Sequence, residues 1–164
     1  MKILYKSELY SFIGNICLFF NKKGLLNVSI NTYNNKWIDK FFPDAFIKPS
    51  NDNIFLTQLK EYFSGLRKEF DLQIILLGSK FQKDVWKSVS KIPFGETMSY
   101  IEVARNINWK SAQRAVGNAL GKNHLLIVVP CHRVIKSNGN MGGFSAGIEV
   151  KKKLLAFEKE ILND

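Results

Sequence analysis

Apolar and polar residues alternate on a short period in the first third of the chain and recur on a helical period in the second half. Ile3 to Tyr10, Phe12 to Asn21 and Leu25 to Ile30 are rich in aromatic and β-branched residues, which suit a pleated, half-buried surface. Gly14 and the run Asn21-Lys22-Lys23-Gly24 interrupt them as turns, the second as a hairpin, so an antiparallel sheet is expected. Phe41 to Asn53, with Pro43, Pro49 and the polar run Ser50-Asn51-Asp52-Asn53, reads as a connector into a helix from Ile54 to Arg67. Leu56, Leu59, Tyr62, Phe63 and Leu66 recur there at helical spacing. Phe70 to Leu77 is then extended, and Gly78-Ser79 marks a boundary that predicts domains 1–77 and 78–164.

Helices dominate beyond that point. Phe81, Val85, Trp86 and Val89 share one face, and Pro93-Phe94-Gly95 ends the segment. Ser99 is placed to cap a helix from Tyr100 to Ile107. Asn108-Trp109-Lys110 turns the chain, and Ser111 is placed to cap a second helix through Leu120, stopped by Gly121. Two short helices across a tight turn fit a helix-turn-helix, and equally an ordinary helical hairpin. The second helix has small side chains and one long cation, Arg114. Ala and Gly would let it lie against a duplex while Arg114 reaches a base or fills a gap in the stack; alternatively Ala112, Ala115 and Ala119 pack on a neighbouring helix. A last helix from Ile148 to Leu162 carries Val150, Leu154, Leu155 and Phe157, with Glu158 set within this apolar stretch. The fold class expected is α+β, a sheet-plus-helix half followed by a mainly helical half.

Charge directs attention to polyanions. The chain has 164 residues, with 24 Lys and Arg against 14 Asp and Glu, a formal charge of +10 that makes nucleic acid the first partner to consider. Its apolar runs are too short to span a bilayer, and Lys2, Lys6 and Glu8 break the apolar core that a signal peptide would need. Two cysteines and two histidines offer neither a disulfide framework nor zinc-ligand spacing, which fits a reducing, intracellular setting. Cys17, among strand residues, reads as a small buried hydrophobe.

The chemistry concentrates in Ile127-Val128-Val129-Pro130-Cys131-His132-Arg133-Val134. Cys131 ends an apolar run read as a buried strand, Pro130 stops regular pairing, and His132 and Arg133 provide a basic neighbourhood expected to lower the thiol pKa. A Cys, His, Glu set with Glu158 suggests nucleophilic catalysis. Neighbouring side chains on extended backbone point opposite ways, so His132 would reach the sulfur through a water unless the chain turns there. The four glycines of the run from Val134 through Gly147 make a loop fit either to line a pocket for a planar group or to be a plain hairpin.

Pro130-Cys131-His132-Arg133-Val134 resembles the signature of the O6-alkylguanine-DNA alkyltransferases, also called methylated-DNA protein-cysteine methyltransferases. The resemblance extends to Phe81-Gln82-Lys83-Asp84-Val85-Trp86, Ile92-Pro93-Phe94-Gly95-Glu96-Thr97, Ser99-Tyr100, Arg114-Ala115-Val116-Gly117-Asn118-Ala119, Asn123 and Gly142-Gly143-Phe144-Ser145, then Lys151 and Glu158. It spans Gly78 to Glu158; the first half matches only in outline, as the variable sheet-plus-helix domain. The resemblance implies a winged-helix-like DNA-binding half and irreversible, stoichiometric transfer of an alkyl group to Cys131. The donors implied are guanine O6 and, less efficiently, thymine O4. His132 would be the base acting through water and Glu158 its orienting acid, with Asn123 joining the recognition helix to the reactive strand. Arg114 would replace the extruded guanine, Tyr100 would help rotate the nucleotide and polarise the leaving base, and Ser137 would contact phosphate. Val134, Gly142, Ser145 and Lys151 would form the base pocket. Alkylated double-stranded DNA is the implied partner of a cytoplasmic monomer, with no cofactor and no metal. Phe144 stands where some members have tyrosine. The rival classes are a helix-turn-helix regulator with a redox-sensing or structural Cys131, and a cysteine hydrolase that turns over repeatedly.

Overall fold

Strands form where aromatic and β-branched residues accumulate, and turns where the side chains are small or polar. The structure, a computed structural model, describes residues 2–32 and 35–163, without the Asn35 side chain. In the first half β1 (Lys2–Ser11), β2 (Gly14–Asn21) and β3 (Gly24–Ile30) form an antiparallel meander. The first turn falls at Phe12 and Ile13, so Gly14 begins β2 rather than interrupting it. Gly14 has φ +112, and a Cβ there would lie 1.9 Å from Asn31 Oδ1, the atom that accepts from the Asn15 backbone N–H at 2.9 Å. Helix α1 (Asn35–Phe41) follows, and β4 (Ala45–Pro49) completes a four-stranded sheet of order β3-β2-β1-β4.

The expectation of a plain connector over Phe41 to Asn53 is therefore corrected. Ala45 to Pro49 pair in parallel with Lys2 to Lys6. This is an edge strand whose proline sits in its final position, where a missing N–H costs least. Helix α2 (Ile54–Phe63) is capped by Asn53, whose side chain accepts from Leu56 N–H. It stops short of Arg67 because Gly65, at φ +77, lets the Leu66 N–H return to Glu61 O at 3.0 Å. Leu56, Leu59 and Tyr62 are buried, but Leu66, beyond the stop, is 83% exposed. Cys17 lies in β2 and is buried, and burial pushes its thiol up to about 11, in keeping with a packing role. By internal contacts this half runs to Ile75 and the second begins at Leu76.

In the second half, helix α3 (Lys80–Val89) starts with a capping box in which Ser79 and Gln82 satisfy each other's backbone N–H. Val85, Trp86 and Val89 are buried, and Trp86 Nε1 donates to Ala119 O at 2.9 Å. A short strand β5 (Met98–Ser99) leads into α4 (Tyr100–Asn106), again with a capping box, Ser99 with Glu102. Helix α5 (Gln113–Leu120) follows a tight turn in which Asn108 and Ser111 both have φ +61. Ser111 is thus part of the turn; Ala112 occupies the cap position, without a side-chain cap bond. One 3₁₀ turn, Cys131–Arg133, precedes β6 (Val134–Ile135), which pairs in parallel with β5, and α6 (Ile148–Asn163) closes the chain. The architecture is α+β, with an antiparallel-rich sheet first and helices after it. Among the described residues no helix is long and apolar enough to cross a membrane.

Trp86 anchors α3 on α5 through one buried bond and a large packed ring. Trp86→Phe removes this bond, leaving Ala119 O with the Lys122 N–H at 3.1 Å, and opens a small void, so it is expected to cost about 1–3 kcal/mol. A lower denaturant midpoint of the full chain, with the near-ultraviolet signal retained, checks it.

Candidate active site

The apolar run before Cys131 is a reversal, not the expected strand. Asn123, at the end of the turn after α5, directs it. Its Oδ1 accepts from Leu125 N–H at 2.9 Å, while its Nδ2 donates to Val129 O at 3.0 Å and to Cys131 Sγ at 3.1 Å. The Val128 and Cys131 N–H groups each reach back two residues, to Leu126 O at 2.9 Å and Val129 O at 2.8 Å. Ile127 is forced to φ +73, a costly conformation for a β-branched residue, and it persists because these bonds over-determine the loop. In place of a strand the run holds an isolated bridge, Leu126 with Val129. The 3₁₀ turn at Cys131 then sends consecutive side chains in different directions.

His132 is directed to Glu158. Its Nε2 lies 2.8 Å from Glu158 Oε1, and both side chains are fully buried. Arg133 grips the same carboxylate with Nε at 2.9 Å from Oε2 and Nη2 at 2.9 Å from Oε1. Its Nη1 donates to Ile92 O at 2.7 Å, and the guanidinium lies 5.7 Å from the Phe94 ring centroid. The Gly95 N–H adds a further bond to Oε2 at 3.0 Å. Burial by itself would raise the Glu158 carboxyl, but these donors outweigh it and hold the group far below the usual carboxylate range. An ionised Glu158 only accepts, so His132 Nε2 carries the proton and Nδ1 presents a lone pair. Nδ1 is buried and has no hydrogen-bond partner. Burial pushes the imidazole below its ordinary value despite the Glu158 bond, so it is neutral at neutral pH.

Cys131 contradicts one expectation. Its thiol is pushed up to about 11 by burial, against the Asn123 hydrogen bond and the Lys151 charge, which pull the other way. Arg133 does not serve as the activating cation, because its charge is engaged by Glu158. The sulfur at rest is a buried, protonated thiol.

Beside the sulfur lies a cavity of about 440 Å3, lined by Tyr100, Gly117, Leu120, Gly121, Cys131, Lys136, Gly142, Gly143, Phe144 and Ser145. Tyr100 opens α4 and is half-buried, and burial raises its phenol, which remains a donor. Gly142 has φ +70, and a Cβ there would stand 2.5 Å from Tyr100 Oη, so only glycine lets this wall close on the phenol. On α5, Val116, Ala119 and Leu120 face inward, while Arg114, Ala115 and Asn118 are exposed. Arg114 makes no ion pair among the described residues.

A model of the 6-O-methylguanine DNA methyltransferase DNA-binding domain matches residues 80–160. A methylated-DNA-protein-cysteine methyltransferase of Methanosarcina barkeri is 38% identical, over 97% of this chain and 99% of its own length. The chain belongs to the methylated-DNA-protein-cysteine methyltransferase family. An inducible member from Bacillus subtilis is 40% identical over 76% of this chain and 70% of its own. A Mycobacterium tuberculosis OGT solved in complex with DNA superposes with a TM-score of 0.85 at 35% identity, covering 97% of this chain and 94% of that one.

Within this member of the methyltransferase family, Asn123, Cys131, His132 and Glu158 form one connected cluster, and Tyr100, Gly142 and Ser145 line the cavity next to it. Val134 and Lys151 stand behind the wall instead of in it. Val134 is fully buried, and the wholly buried Lys151 ammonium donates to the carbonyls of Val134, Met141 and Gly143, joining α6, β6 and the glycine loop. Ser137 lines a separate polar groove with Thr97, Ser99, Glu102, Arg105 and Lys136. The sequence reading missed Arg133 as the partner of Glu158 and Lys136 as a lining residue. Adjacency to Cys131 was the available signal for Arg133, but its direction depends on the 3₁₀ turn.

Glu158 and His132 have the same effect on stability as the pH falls. The folded carboxyl titrates below its ordinary value of about 4.3, so its contribution is present above that pH and is lost as acidity approaches the folded value. His132 is likewise depressed below about 6.5, so the unfolded chain takes up that proton first and stability begins to fall below about pH 6.5. Denaturant midpoints measured between about pH 8 and pH 3 should decline in these two windows. Glu158→Gln should remove the lower window and cost about 3–5 kcal/mol at neutral pH.

Proposed function

We propose that the chain repairs duplex DNA by one irreversible transfer of a small alkyl group, from guanine O6 and less efficiently from thymine O4, to Cys131. The observation that carries the reading is a buried thiol on a cavity wall, next to a histidine whose free Nδ1 is set by a carboxylate behind it. A base within a duplex cannot present its O6 substituent to such a sulfur, so the nucleotide must be turned out of the stack into the cavity. Arg114, exposed near the start of α5 beside Ala115, is the side chain proposed to fill the gap. Tyr100 crowds the rotating nucleotide, and Ser137 contacts the backbone in the polar groove.

The thiol must lose its proton at the moment of reaction. A water between Sγ and His132 Nδ1 carries it to the imidazole, and the Glu158 carboxylate stabilises the imidazolium that forms. The Asn123 amide and the Lys151 charge favour the thiolate against desolvation. Burial then helps, because a poorly solvated thiolate is a strong nucleophile towards the alkyl carbon. The C–O6 bond breaks with its electron pair on guanine, the Tyr100 hydroxyl polarises the departing base, and Ser145 is placed for its polar edge. The product is a thioether, which offers no acyl or disulfide bond for water or a thiol to reopen, so each chain acts once. A redox-sensor role for Cys131 fits poorly, since such cysteines are exposed and low in pKa, as does repeated hydrolysis, which needs an acyl-enzyme bond.

Incubation with O6-methylguanine duplex should add one methyl group to the peptide containing Cys131, as read by mass spectrometry. Cys131→Ser should abolish transfer while leaving DNA binding within about twofold; methyl transfer by that variant sinks the reading. Arg114→Ala should slow repair of duplex by about tenfold, the scale of one lost base-stacking contact, with a smaller effect on the free base. Equal losses on both substrates would remove Arg114 from the flipping step.

A further inference from the structure

We infer that Lys136 is a specificity-determining residue that fits this site to O6 adducts bearing a carboxylate, of which carboxymethyl is the smallest; the inference rests on the alkyl-transfer reading above. Among the described residues that line the cavity, Lys136 alone carries a formal charge and none is Asp or Glu; Lys136 is exposed, at the rim shared with the polar groove. Its backbone is fixed. The residue follows β6, its N–H donates to Asn140 O at 2.8 Å, and its carbonyl accepts from Gly139 N–H at 2.9 Å. Its side chain makes neither ion pair nor hydrogen bond among the described residues, so the ammonium is available to a ligand.

The surrounding charges reinforce the preference. Lys151 holds a second ammonium behind the same wall, on the Met141 and Gly143 carbonyls, and makes no ion pair among the described residues. Glu158 is engaged by Arg133 and His132. Glu102 is engaged by the Ser99 N–H and hydroxyl. A carboxylate on the adduct would otherwise oppose the thiolate that attacks the neighbouring carbon, and a cation at the cavity rim offsets that repulsion.

The chemistry balances as it does for methyl. The Cys131 proton passes to His132, the sulfur pair forms the S–CH2 bond, and the CH2–O6 bond breaks with its electrons on oxygen. Guanine takes a proton at N1, leaving S-carboxymethyl-Cys131. Lys136 also borders the polar groove of Thr97, Arg105 and Ser137, so a backbone phosphate is the other source of an anion there.

Single-turnover rates of the full chain, with Lys136→Met and Lys136→Arg, separate the two on O6-carboxymethylguanine and O6-methylguanine, each in duplex and as free base. The carboxymethyl-to-methyl rate ratio should fall about tenfold in Lys136→Met, in duplex and free base alike, and be largely kept in Lys136→Arg. An equal loss on both duplexes with no change on free bases assigns the ammonium to phosphate and overturns the proposal, as does an unchanged ratio. Absence of methyl transfer by the unsubstituted chain would defeat the alkyl-transfer reading itself, an outcome distinct from any change in the ratio.

Discussion

A single buried carboxylate, Glu158, holds the reactive end of this protein in place. Taking it out of water costs several kcal/mol, and the cost is offset only if every lone pair finds a donor. The donors come from His132, Arg133 and the Gly95 backbone, three points far apart from α6 in sequence. That one requirement fixes the 3₁₀ turn, selects the imidazole tautomer and ties the Ile92 to Gly95 segment to the reactive loop. Arg133 is therefore read better as a clamp than as a local cation, and the thiol beside it gains no direct activation from it.

The consequence for chemistry is a division of labour between resting and reacting states. Burial keeps Cys131 protonated at rest, while in the proposed reaction the Asn123 amide, the Lys151 charge and the unpartnered His132 Nδ1 would favour its ionisation once substrate enters the cavity. Under the proposed single transfer, an acceptor would gain from such protection, since every stray reaction would consume a chain. Lys151 serves the same economy of structure from the other side. Its ammonium replaces water for three carbonyls and so holds the glycine loop against the site without occupying it.

Much of the fold was legible because its signals are local. The meander of β1 to β3, the cap at Ser99 and the face of Val85, Trp86 and Val89 all follow from residues within one or two turns of each other. Elements that depended on a distant partner were not. Ala45 to Pro49 is a strand only because β1 offers an edge, and Leu125 to Val129 is not a strand, despite its apolar run, because Asn123 captures its backbone.

The site divides along the same line. The sequence alone determined which groups are present: a cysteine flanked by proline and histidine, a carboxylate in the last helix, an arginine on a small-residue helix and a glycine-rich loop. Family resemblance attached roles to them. Only the tertiary structure decided which way each group points and what charge it carries. The thiol is raised rather than lowered, Val134 and Lys151 stand behind the wall, and Lys136 stands in it. The physical reason is that covalent order specifies neighbours along the chain, whereas burial and long-range hydrogen bonds set direction and protonation, and both arise only once distant segments have packed.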